Sequence, residues 1–131
     1  RIIDTFTSEE SSQPDIGKIL TREDIFRLRK VIDSIHIDEN IKNYVLDIVL
    51  KTREESGYIS CGASPRASIS LIKAAKGRAF LKGRNYVLPD DIKAMAYDVL
   101  RHRILLSYEA EAENITSENI IAEILEQVNL P

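Results

Sequence analysis

The stretch Gly62-Ala63-Ser64-Pro65-Arg66-Ala67-Ser68 carries the residue types and spacing best suited to chemistry. Ser64 is a helix-capping residue, and Pro65 suits the first helical position, where a missing N–H costs nothing. Arg66 then falls in the first turn, beside the positive end of the helix dipole, a placement unfavourable by roughly 0.3–1 kcal/mol. An anion brought there reverses the sign, because it meets free backbone N–H groups, the dipole and a guanidinium together. Arg66 is therefore read as a phosphate-contacting arginine at a helix start. The competing reading is an exposed arginine or a partner of a nearby carboxylate, since surface arginines are common.

The other reactive side chains point to structure first. Arg53, near the end of its helix, could reach a phosphate, but a favourable helix-end charge is the simpler account. Cys61 beside a helix start has the setting of a low-pKa thiol and also of a small loop residue. His102 has no recognisable nucleophile near it in the chain and reads as a helix-end or core histidine. Asp90 and Asp91 read as first-turn helix acids, and Arg84 as a capper of carbonyls or a partner for one of those two acids. Two histidines and one cysteine, widely spread, do not make a metal site. The P-loop pattern Gly-x-x-x-x-Gly-Lys followed by Ser or Thr is absent, so the chain holds no triphosphate by that route.

The elements that must position these residues are helices. Thr21 caps a first helix with acids in its opening turn, and Ile25, Leu28, Ile32 and Ile35 recur at helical spacing. Ile35-His36-Ile37 is short, β-branched and expected to be extended. Asp38 caps the next helix, with Ile41, Tyr44, Val45, Ile48 and Val49 on one face and Gly57 suited to its end. A loop from Tyr58 to Ala63 leads into the helix opened by Ser64, whose Leu71, Ala74, Ala75, Ala79 and Phe80 form a partly small-residue face, and Gly83 ends it. Asn85 to Leu88 is a brief extended connection before Pro89 opens a helix buried through Ile92, Met95, Ala96, Val99 and Leu100. The stretch from Glu109 to Asn114 is acidic and expected to be exposed. Thr116 caps a last helix carrying Ile120, Ile121, Ile124, Leu125 and Val128. The fold class is all-α, a bundle of about five main helices with at most a minor β element.

Composition agrees with this and excludes other classes. The chain has 131 residues, 44% hydrophobic and 30% charged, which suits one amphipathic helical domain with a real core. A net charge of −3 argues against a nucleic-acid binder, and no apolar run is long enough for direct insertion into a membrane. A lone cysteine leaves no internal disulfide, and a cytoplasmic setting is the expectation. The chain opens on Arg1 and reads as a piece of a larger protein, with residues 1–20 a connection of short helix and linker and 21–131 the helical domain.

Thr52-Arg53, Gly62-Ala63-Ser64-Pro65-Arg66-Ala67, Gly83-Arg84-Asn85-Tyr86-Val87-Leu88-Pro89-Asp90-Asp91-Ile92 and Val99-Leu100-Arg101-His102-Arg103 follow one another in an order that resembles the C-terminal lid of MoxR-type AAA+ ATPases. The resemblance runs from about Thr21 to Pro131. It implies a helical lid packed on a nucleotide-binding core in the same chain, in a ring of identical subunits, with ATP and Mg2+ held by the intact parent and none expected in this piece alone. It further implies chaperone-like remodelling or maturation of partner proteins, some carrying von Willebrand factor A domains. Arg66 matches the sensor-2 arginine that reaches the γ-phosphate of bound ATP, with Ser64 and Pro65 framing it and Arg53 a further nucleotide-binding candidate. Leu88 departs from the pattern, in which Thr or Ser is expected before Pro89, and costs that helix a side-chain cap of about 1 kcal/mol. The alternative is a stand-alone helical interaction module, or a helix-turn-helix without ATPase role; the acidic balance and the lack of a basic recognition helix disfavour its DNA-binding form.

Overall fold

A computed structural model describes residues 17–131. Of the short helix and linker expected over 1–20, residues 1–16 lie outside the described residues, and residues 17–20 are exposed and in neither helix nor strand. Helix α1 spans Arg22–Asp33 and α2 spans Glu39–Lys51. Strand β1 covers Ile59–Cys61, and the long helix α3 covers Arg66–Leu81. Helix α4 is Pro89–Leu100, β2 is Leu105–Leu106, α5 is the short Tyr108–Ala112 and α6 is Ser117–Gln127. The all-α reading holds, with a two-stranded antiparallel ribbon as the small β element.

Local chemistry starts most of these helices where expected. Thr21 and Asp24 form a reciprocal capping box: the Asp24 N–H donates to Thr21 Oγ1 at 3.2 Å and the Thr21 N–H to Asp24 Oδ2 at 2.9 Å. Asp38 accepts from the Asn40 N–H at 2.8 Å, and Thr116 and Asn119 repeat the box at α6. Gly83 takes φ +70°, a left-handed conformation that glycine adopts without a Cβ penalty. It ends α3 in a Schellman arrangement, with Arg84 N–H donating to Ala79 O at 3.0 Å.

The core lies between α3 and α4, with α2 and α6 closing it. Ala67, Ala75 and Ala79 on α3 and Ala96 on α4 are fully buried, and these small residues let the two helix backbones approach closely. Leu71, Ile92 and Leu100 fill the space beside them, while Tyr44, Val45 and Ile48 come from α2. Helix α1 rests on this unit from outside. It buries none of its own residues completely: Leu28 and Ile32 are half-buried, and Ile25 is exposed.

The extended pieces around residues 36 and 86 meet as a parallel bridge between His36 and Tyr86, with Val87 N–H donating to His36 O at 3.0 Å. Two local expectations are corrected and a third is refined. Helix α2 does not run to Gly57 but stops at Lys51, because the Thr52 side chain turns back onto the Val49 carbonyl and takes a bond from a distant segment. The segment before Ala63 is not only loop: Ile59–Cys61 pairs with Leu105–Leu106, two partners more than forty residues away along the chain. The acidic stretch from Glu109 to Asn114 is exposed as expected except for Ala110, which is fully buried in the short helical turn after Ser107.

Candidate functional site

The segment around Arg66 is built by three elements. The end of α2 supplies Thr52 and Arg53, β1 runs into Gly62 and Ala63, and α3 begins at Arg66. Pro65 sits just before α3 in helical backbone geometry, φ −55° and ψ −25°. The opening turn is tight: Ala67 N–H donates to Ser64 O at 2.8 Å and Ser68 N–H to Pro65 O at 3.2 Å. Ser64 does not cap the helix with its side chain, contrary to expectation. With Pro65 already helical, the serine contributes its backbone carbonyl to the first turn.

Among the described residues, helix α3 is thus the one long helix that starts with neither a side-chain cap nor any acidic residue in its first turn. Its positive end is uncompensated, and Arg66 adds a further positive charge to it. Arg66 is exposed and forms no ion pair among the described residues, whereas Arg27, Arg78, Arg84 and Arg101 each meet a carboxylate. An exposed guanidinium at an uncapped helix start is suited to an anionic oxygen brought from outside this domain.

Arg53 lies beside this site but faces its backbone, donating from Nη1 to the Ala63 carbonyl at 3.2 Å. Ser64 and Pro65 are exposed at the helix mouth. Cys61 is an exposed free thiol whose Sγ lies 3.7 Å from the Gly62 carbonyl oxygen. Arg103, half-buried just ahead of β2, has an Nε with no hydrogen-bond partner among the described residues. His102 is exposed in the turn after α4. No group of three or more His, Cys, Asp or Glu side chains among the described residues could hold a metal.

Asp91 and Arg84 take the structural role. The Arg84 guanidinium grips the carboxylate at both oxygens, at 2.7 and 2.8 Å, and also donates to Tyr86 O at 3.1 Å. Leu88 N–H donates to the same carboxylate at 2.9 Å, and Arg78 Nε lies 3.5 Å away. Burial by itself would raise the Asp91 pKa, but the Arg84 guanidinium, the Leu88 N–H and Arg78 outweigh it and hold the carboxyl below its ordinary value. Leu88 provides no side-chain cap, as expected, and the side-chain bond at that helix start comes from Asp91, which accepts from the Leu88 N–H.

Thr52 and Gly62 stood within the motifs singled out from the sequence, but residue type alone assigned neither of them a role. Thr52 is fully buried and its hydroxyl accepts from the Ala63 N–H at 3.0 Å. Gly62 is needed for close approach: a Cβ there would stand 2.2 Å from the Thr52 carbonyl oxygen. The available signal was a glycine next to a small residue just ahead of a helix start.

A model of the AAA lid domain family matches residues 51–124, from the last residue of α2 into α6. The chain belongs to that family. This AAA lid domain is 38% identical over 131 residues to the uncharacterised protein YeaC of Bacillus subtilis, covering 98% of the chain and 41% of YeaC. It is 37% identical over 126 residues to Chaperone MoxR1 of Mycobacterium tuberculosis, covering 90% of the chain and 33% of that protein. A crystal structure of a provisionally assigned ATPase from Cytophaga hutchinsonii matches 88% of the chain and 37% of its own, with TM-score 0.83 and 43% identity. The domain is a lid of the MoxR AAA+ type, and it spans about two fifths or less of the length of these relatives.

Proposed function

We propose that this lid senses ATP held by the nucleotide-binding core of its parent, through Arg66 acting as the sensor-2 arginine. In this proposal residues 1–20 connect core to lid and residues 21–131 are the lid. ATP and Mg2+ belong to the core; when bound there, they supply the phosphoryl group and the metal charge for hydrolysis. The lid contributes one cationic contact, from Arg66 at the mouth of α3. The observation that carries this reading is the uncapped, acid-free start of α3 together with a guanidinium that no carboxylate of the described chain engages. Its donor set fits one end of a polyphosphate and nothing more of a nucleotide.

Closure follows from that contact. Arg66 anchors the lid while the terminal phosphate is present and releases it after hydrolysis, as in other nucleotide switches. The resulting motion, in a ring of identical subunits, would drive chaperone-like remodelling or maturation of partner proteins, von Willebrand factor A domain proteins among them. The name of the Mycobacterium relative as a chaperone supports that direction. No helix among the described residues is long and apolar enough to cross a membrane, and a cytoplasmic setting is part of the proposal.

The test is Arg66→Ala in the full-length protein. A charged hydrogen bond contributes roughly 1.5–3 kcal/mol, so the closed state should weaken about ten- to a hundredfold and ATP turnover should fall with it. The melting temperature should stay unchanged, because Arg66 is exposed and bonded to no acid. Unaltered turnover would rule out the sensing role.

A further inference from the structure

We infer that Thr52 and Arg53 form a two-point clamp that positions Arg66. This rests on the reading of Arg66 given above and extends it to residues that do not touch the phosphate themselves. The two side chains are consecutive at the end of α2, and they hold both backbone groups of one residue, Ala63. Thr52 Oγ1 accepts from the Ala63 N–H at 3.0 Å, and Arg53 Nη1 donates to the Ala63 carbonyl at 3.2 Å. The Thr52 hydroxyl proton goes to the Val49 carbonyl at 2.7 Å, which fixes its rotamer and leaves its lone pair facing Ala63. Ala63 and Thr52 are both fully buried.

Little slack separates this clamp from the guanidinium. Ala63 precedes Arg66 by three residues, and Pro65 between them has a locked φ. On the far side, Ala67 is fully buried and Ser68 nearly so. The backbone of Arg66 is therefore held at both ends while its side chain projects outward. Gly62 lets the segment press against α2: its missing Cβ would stand 2.2 Å from the Thr52 carbonyl oxygen and 2.9 Å from Arg53 Cγ. A residue this close to an anion contact matters through geometry, since misplacement of a positioned group by about 1 Å can cost on the order of a hundredfold. Arg53 has its guanidinium turned to its own domain, which assigns it to this clamp and not to the nucleotide.

The experiment is a double-mutant cycle in ATP turnover by the full-length protein. Thr52→Val keeps shape and removes both hydroxyl bonds; Thr52→Ser keeps the hydroxyl; Arg53→Gln shortens the donor at an exposed position and serves where Thr52→Val does not fold. Thr52→Val and Arg53→Gln should each lower turnover about fivefold, in line with one hydrogen bond of positioning, and Thr52→Ser should retain it within about twofold. In an Arg66→Ala background both losses should shrink to less than about twofold, because nothing remains to position. Losses that persist undiminished in that background overturn the clamp, since they act on stability or on the nucleotide directly. Wild-type turnover in Thr52→Val and Arg53→Gln, with Arg66→Ala impaired, overturns the clamp and leaves the Arg66 reading intact. Wild-type turnover in Arg66→Ala removes the sensing role and the clamp with it.

Discussion

Asp91→Asn should be one of the most damaging single substitutions in this domain, although Asp91 touches no nucleotide. The carboxylate is 2% exposed and accepts three hydrogen bonds, two from Arg84 at 2.7 and 2.8 Å and one from the Leu88 N–H at 2.9 Å, with Arg78 Nε a more distant ion-pair partner at 3.5 Å. Asparagine keeps one acceptor oxygen but turns an NH2 toward the Arg84 fork, so donor meets donor. Breaking a buried pair from one side costs about 3–5 kcal/mol. The Arg84 side chain is 22% exposed and keeps its bond to Tyr86 O, so the lower end applies, about 3 kcal/mol. For a domain of this size that corresponds to a fall of roughly 10 °C in Tm. The assay is thermal and urea denaturation of the chain at pH 7 and under acid conditions. The sign with pH is fixed: the folded pKa of Asp91 lies below its unfolded value of about 3.9. Its contribution is complete above that unfolded value and is lost as pH falls through the folded one. The gap between wild type and Asp91→Asn should therefore close in acid. A Tm within about 2 °C of wild type at pH 7, or a gap unchanged down to acid pH, would refute the assignment of net stability to this pair. Replacing both partners, as in Asp91→Leu with Arg84→Met, should recover much of the loss, because no charge is then left stranded.

The remaining expectations concern helix ends. Leu88→Thr should stabilise the chain by roughly 0.5–1 kcal/mol, because Asp91 already accepts from the residue-88 N–H and a hydroxyl there completes the capping box; a lower urea midpoint than wild type would count against it. Gly83→Ala should cost about 1 kcal/mol at φ +70°, read as a lower Tm, and an unchanged Tm would show that α3 can end another way.

Much of the fold was readable along the chain because its causes are local. Thr21 with Asp24, Asp38 with Asn40, and Thr116 with Asn119 bond across two or three residues, so residue type and spacing suffice to start those helices. Gly83 and the periodic apolar faces of α2, α3, α4 and α6 belong to the same class. Arg66 at the start of α3 was legible for that reason, and so was Arg84 as a partner of a neighbouring acid. Ser64 shows the limit even at short range: its type suggested a side-chain cap, and the helical geometry of Pro65 made the opening turn without one.

What the sequence could determine by itself was which segments are helical, where most of them begin and end, and that an arginine stands at an electropositive helix mouth. Tertiary structure alone decided that α2 stops at Lys51, that β1 pairs with β2, and that Thr52 and Arg53 grip Ala63. The physical reason is separation along the chain. Capping and periodicity act within a turn or two, whereas those bonds join residues ten or more positions apart, which only the packed fold brings together.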